Sequence, residues 1–186
     1  MKLIFENWRK FLIKEQSELW GHHITPEQKV FISKTPYTEF RNVKQEKPPH
    51  PMIKPQGLWY GCGDAWVEWV RSESPEWLEA SNYLYEVKTD GKVLKISNDR
   101  EFEELEANFG FRSRNYPPMI HLAIDWELMQ KEGYGGIEIC PYNMQRRMSS
   151  DWYYGWDVAS GCIWDSSSIQ DVVLLAEKEG SHEAAA

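Results

Sequence analysis

The chain has 186 residues, Lys+Arg 21 against Asp+Glu 29 for a net charge of −8, and 41% hydrophobic residues; this is a globular composition for one domain of ordinary size. No apolar run approaches the ~20 residues of a membrane helix, and the charge has the wrong sign for a protein that holds duplex DNA through many phosphate contacts. Aromatic residues are in excess, with 10 Trp, 9 Tyr and 7 Phe against a mean hydropathy of −0.63, so some rings are expected to line a site rather than fill a core.

In residues 1–15, Leu3, Ile4, Trp8, Phe11 and Leu12 fall on one stripe at helical spacing, which predicts a short amphipathic helix. Gln16 to Thr25 reads as a polar connector. Lys29 to Thr35 is predicted as a strand ended by Pro36, and the proline-rich stretch through Pro48, Pro49, Pro51 and Pro55 as an ordered surface loop. Gly57 to Tyr60 is a short apolar strand. Asp64 caps a helix with Trp66, Trp69 and Val70 on one face, and Ser74 with Pro75 starts another. Residues 83–97 predict a hairpin about Asp90-Gly91. Asn98 and Glu101 form a capping box for a helix bearing Phe102, Leu105 and Phe109 and closed by Gly110. A helix over Asp125 to Glu132, strands near Gly136 to Cys140 and Gly161 to Trp164, a last strand from Asp171 to Ala176 and a disordered tail over 181–186 complete the reading. Short strands and helices in irregular order make residues 16–180 a single α+β domain rather than a doubly wound one.

Cys62, Cys140 and Cys162 are odd in number with no CxxC pair, which predicts neither a disulfide framework nor a structural zinc site and points to a reducing compartment. Met1 to Ile13 lacks the apolar core and cleavage site of a secretory signal. His50, His121, His182 and the pair His22-His23 have no spacing that supports a metal, and no metal is expected.

Two segments carry residue types beyond what folding needs. In KPQGLWYGCGDAWVEW, Gly57, Gly61 and Gly63 permit close backbone approach and Leu58, Trp59 and Tyr60 offer flat surfaces for a planar ligand. In the stretch from Gly133 to Ile169, a strand bearing Glu138, a loop with Arg146 and Arg147, and the cluster Trp152, Tyr153, Tyr154, Trp156 lead to Asp157 and Ser160. A carboxylate beside dense aromatics suits stabilisation of a sugar oxocarbenium ion, and Glu138 and Asp157 are the candidates.

Together the segments resemble the ADP-ribosyltransferase superfamily. The resemblance rests on a first strand ending Ser33-Lys34-Thr35, a second strand Gly57-Leu58-Trp59-Tyr60-Gly61 followed by a helix, a late Gly133-Tyr134-Gly135-Gly136-Ile137 run, and a last segment Cys162-Ile163-Trp164-Asp165 through Ile169. It implies split antiparallel β-sheets with short peripheral helices, with NAD bound as substrate rather than a metal cofactor. Ser33, Lys34 or Thr35 would meet the adenosine ribose, Gly57 the nicotinamide amide, and a ring near Tyr60 would stack on the base, with Leu58, Trp59 and Trp66 also among the cofactor-binding residues. The family's first-strand His or Arg is Ser33 or Lys34 here, and Ser160 stands where the catalytic Glu normally falls, so Asp157 or Glu138 supplies the acid.

The first residues are similar to capsid-targeting peptides of tailed phages, cut by a prohead protease after an aliphatic-x-Glu sequence such as Ile13-Lys14-Glu15. This implies a protein packaged in the virion and delivered to the host cytoplasm, acting there on a host protein or nucleic acid, with no membrane partner. Two rival readings stand beside it. One is a non-catalytic Trp-rich binding or virion structural module, which requires Trp59, Trp66, Trp152 and Trp156 to form an exposed strip. The other is a glycoside hydrolase, which requires Glu138 and Asp157 to face each other across a groove.

Overall fold

The computed structural model describes residues 18–49, 53–113 and 121–179. The amphipathic segment 1–15, the tail 181–186, His50 and His182 lie outside them. Where a polar connector was expected, β1 (Glu18–Leu19) and β2 (His22–His23) form a small hairpin. Trp20 and Gly21, both at positive φ, make its turn, as the twist of a two-residue connection demands. Then follow β3 (Lys29–Ser33), β4 (Leu58–Cys62), α1 (Ala65–Glu73), α2 (Pro75–Ala80), β5 (Tyr83–Thr89), β6 (Val93–Ile96) and α3 (Asp99–Phe109). The second half holds β7 (Gly110–Ser113), β8 (His121–Ile124), α4 (Trp126–Lys131), β9 (Gly136–Ile139), α5 (Met144–Ser149), β10 (Ser160–Ile163) and β11 (Ile169–Glu177).

The chain is a mixed α+β protein. One seven-stranded sheet has the order β11-β5-β3-β4-β10-β9-β6, and β7 with β8 makes a separate hairpin. Every pair in the large sheet is antiparallel except β6 with β9, which is parallel. The predicted 83–97 hairpin does not form. Both strands exist, but β5 is paired with β3 on one edge and β11 on the other, so no edge is left for β6. The Asp90 amide bonds the Ser168 carbonyl and its carboxylate accepts from the Lys92 amide, turning the chain away to β9.

That turn fixes the shape of the sheet. Asp90 to Lys92 reach at most about 14 Å, whereas the five strand spacings between β5 and β6 would span about 24 Å in a flat sheet. The sheet must curl, and residues from its two ends meet on the inner face, where Val87 and Val93 pack with Phe31, Tyr60, Tyr85 and Ile163. On the outer face α1 covers β3 and β5 through Val67, Val30 and Leu84. Helices α3 and α4 cover the other half with Phe102, Leu105, Met129, Ile137, Ile139 and four tryptophans, Trp126, Trp152, Trp156 and Trp164. Much of the aromatic excess is therefore core.

Local signals set the helix starts unevenly. Asn98 accepts from the Glu101 amide and the Glu101 carboxylate accepts from the Ser97 amide at 2.6 Å, so the capping box closes one residue early. Asp125 accepts from the Leu128 amide, whereas Asp64 stands before α1 with no capping bond from its side chain. Gly110 is extended and opens β7 instead of ending the helix in a left-handed cap. The segment read as a loop around Arg146 and Arg147 is helix α5, started by Asn143, which accepts from the Arg146 amide; Arg146 also bonds Asp99 and Glu103 of α3.

The cysteine expectation is corrected. Cys62 at the end of β4 and Cys140 just after β9 form a disulfide with Cα atoms 6.5 Å apart, and Cys162 is a buried free thiol. Cysteine parity carries no information about distance, and a separation of 78 residues gives no local sign of a contact that arises because β4 and β9 both flank β10. Closing so long a loop contributes up to about 4.5 kcal/mol in the chain-entropy account. Urea denaturation of the oxidised and reduced wild-type protein is expected to show a lower midpoint on reduction; coincident midpoints would exclude the bond as a stabilising element.

Candidate functional site

Successive residues on β4 point to opposite faces of the sheet, and two distinct sites follow from that alternation. Trp59 and Gly61 face outward. A side chain at Gly61 would collide with Trp66 of α1, so the glycine lets that helix lie directly on the strand. The result is a cleft of about 400 Å³ between the outer face and the helices, walled by Ile32, Trp59, Trp66 and Trp77 with Lys34 and Ser81 at its polar edge. Trp66 stacks on Trp69 at 5.3 Å, and Trp77, 51% exposed, stands 6.0 Å from Trp66. Indole walls and a lysine, the one charged residue among the described residues that line the cleft, match a planar ligand that carries negative charge.

Asp157 lies outside this cleft and is linked to Trp59 through Lys54. Its carboxylate is held by Arg147 at 3.2 Å and Lys54 at 3.7 Å; the Lys54 ammonium sits 5.2 Å from the Trp59 ring, and that ring packs edge-on against Trp156 at 4.9 Å. Ser160 pairs with Gly61 across β10 and thus shares the outward face; it is buried, and its hydroxyl donates to the Val158 carbonyl.

Tyr60 faces inward and is 1% exposed. Its ring crosses the position of Gly161, where a side chain would strike it, and its hydroxyl donates to Glu138 Oε2 at 2.7 Å. Lys29 of β3 reaches the same oxygen at 2.5 Å. Burial, with the Glu138 charge beside it, pushes the Tyr60 phenol well above its ordinary range. Glu138 is therefore an inward, neutralised carboxylate, and Asp157 an outward one. The two do not flank a common groove.

No protein-family model, no curated protein and no solved structure matches this chain.

Of the residues singled out in the sequence, Lys34, Trp59 and Trp66 line one cleft, and Asp157 lies outside it behind Lys54. Leu58 packs on the inner-face core, and Tyr60 and Glu138 lie on that face too. Ser33 is turned into a local loop, its hydroxyl donating to the Thr35 carbonyl at 2.6 Å, with Thr35 exposed beside it. At Gly57 a side chain would meet the Ile163 carbonyl, so close packing of β10 accounts for that glycine. Trp152 and Trp156 are buried, and the exposed tryptophan strip does not form. Sequence reasoning missed Trp77 and Lys54, because their approach depends on a loop and on the α1–α2 angle; Arg147 was noted in the second segment, but its pairing with Asp157 was not. Sequence reasoning also missed Lys29, although the strand spacing Glu138-x-Cys140 already put an acid and a thiol on one face.

A phenol whose folded pKa is raised stabilises the fold below the unfolded value of about 10, and that contribution is lost as pH rises beyond it. Tyr60→Phe should cost about 1–3 kcal/mol at neutral pH by removing a donor from buried Glu138, and its deficit against wild type should shrink above about pH 10. Urea midpoints across that range check this; a constant deficit would show that Tyr60 ionises as freely in the fold as in the unfolded chain.

Proposed function

We propose that the chain binds an NAD-type dinucleotide in the Trp59–Trp66–Trp77 cleft and transfers its ADP-ribose to a host protein or nucleic acid. The observation that carries this reading is positional. The four segments tied to the site by resemblance are adjacent strands in the order β3-β4-β10-β9, and the cleft on the outer face of the first two contains Lys34, Trp59 and Trp66. The finer fold assignment, an ADP-ribosyltransferase-like sheet, belongs to the same proposal, as does delivery to the host cytoplasm by way of the N-terminal segment.

In this reading Trp66 and Trp59 stack on the planar bases and Lys34 meets an anionic group. The bond between nicotinamide nitrogen and ribose carbon breaks, nicotinamide leaves with the bonding electrons, and the cationic ribose is stabilised by the Asp157 carboxylate until an acceptor nucleophile adds and gives up its proton. Asp157 takes this role over Glu138 because Glu138 is on the opposite face and committed to Lys29 and Tyr60. The exposed edge of Trp77 supports one alternative, a non-catalytic aromatic binding module at the same cleft.

Calorimetric titration with NAD, paired with chromatography of released nicotinamide, separates the readings. Trp66→Ala should weaken NAD binding roughly fivefold to 150-fold, since base stacking on an aromatic ring is worth about 1–3 kcal/mol. Asp157→Asn should keep binding and lower nicotinamide release by about 100-fold or more. Binding without release in the wild type would favour the non-catalytic module, and no NAD binding at all would defeat the transferase reading.

A further inference from the structure

The inner face holds a second group of chemistry-bearing residues that the cleft does not use. The sulfurs of Cys62 and Cys140 and a carboxylate oxygen of Glu138 all lie within 4.8 Å of one another. They come from β4, from β9 and from the residue that follows β9, so the sheet rather than a loop positions them. We propose that, once the Cys62–Cys140 disulfide is reduced, these three residues bind a zinc-like divalent metal ion.

The donor set suits that class of ion. Two thiolates and one carboxylate select zinc or cobalt over magnesium or calcium, which take oxygen ligands only. A tetrahedral site with metal–sulfur bonds of about 2.3 Å and metal–oxygen bonds of about 2.1 Å sets its ligand atoms roughly 3.5 Å apart, a separation the trio reaches with small side-chain rotations. Tyr60 and Lys29 both bond Oε2 of Glu138, so Oε1 is the oxygen this site assigns to the metal. Charge closes as well. Two thiolates, one carboxylate and a divalent ion sum to −1, and the ammonium of Lys29, paired directly opposite Cys62 in the β3–β4 register, neutralises the whole. Cys62 and Cys140 are both partly exposed, which gives reductant and metal a path, and a solvent water completes the fourth position.

The steps balance. A dithiol reductant gives two electrons and two protons, leaving as its own disulfide and forming two cysteine thiols. The metal ion then replaces the two thiol protons, which pass to solvent. The site is independent of NAD chemistry, and it makes the oxidised and metal-bound states mutually exclusive.

The test uses the full chain, reduced with a non-thiol phosphine and titrated with Co²⁺. The expected result is one Co²⁺ per chain with a thiolate-to-metal charge-transfer band, absent from the oxidised protein, lost in Cys62→Ser and Cys140→Ser, and weakened at least about tenfold in Glu138→Gln. A second measurement needs no variant: Zn²⁺ should slow iodoacetamide labelling of Cys62 and Cys140 in the reduced wild type, mapped by peptide mass spectrometry. Reduced protein that takes up no Co²⁺ and whose labelling is indifferent to Zn²⁺ overturns the site. A Co²⁺ spectrum and affinity unchanged in folded Glu138→Gln overturns the role of the carboxylate.

Discussion

Three residues, Asp90 to Lys92, carry the chain from the second strand of the sheet to the last, and the curl that this short span imposes governs everything else. Curling gives the sheet an inner face closed on itself and an outer face for the helices to cover. Aromatic and β-branched residues fill the inside, and the single carboxylate facing inward from β9 has to be neutralised there because burying it unpaired would be costly. Lys29 and Tyr60 do so from two other strands, and Gly161 of β10, between Tyr60 and Glu138, leaves room for the ring.

The tryptophans divide along the same line. Trp126, Trp152, Trp156 and Trp164 are buried beneath α3 and α4, and the indole nitrogens of the first, second and fourth donate to the Ile53 carbonyl, Glu106 and the Tyr134 carbonyl. Large rings with one polar edge can fill a core when that edge finds an acceptor. Trp66, Trp69 and Trp77 instead gather on two short helices whose packing leaves a cleft open beside Lys34. Composition reported the surplus of rings correctly but not which of them face solvent.

Legibility followed the range of the interactions. Strands β3, β4, β9, β10 and β11 and helices α1 to α4 were visible in periodicity and capping residues because those signals lie within a few positions of each other. Asp90-Gly91 marked a turn correctly, yet the strands it joins do not pair, since the partners of β5 are set by β3 and β11. The cleft was partly readable, through Lys34, Trp59 and Trp66, because the resemblance was carried by strand motifs. Tyr60 was placed beside those residues by proximity in sequence, but one step along a strand reverses the face. The disulfide left no trace at all, being a contact across three strands rather than along one.

The strand order also says something about how the protein must be made. β4 is finished at Cys62, yet its second neighbour, β10, begins at Ser160; β5 ends at Thr89, yet its outer neighbour begins at Ile169; and β6 waits for β9 at Gly136. During synthesis the first half of the chain therefore presents open strand edges and an unfilled inner face until nearly the whole polypeptide has emerged. Such non-local closure is slow and leaves edges able to pair with other chains. A chain cut short before β10 would keep its helices and its turns and still lack the strands that shut the sheet, so aggregation rather than a smaller stable fold is the natural fate of the fragment.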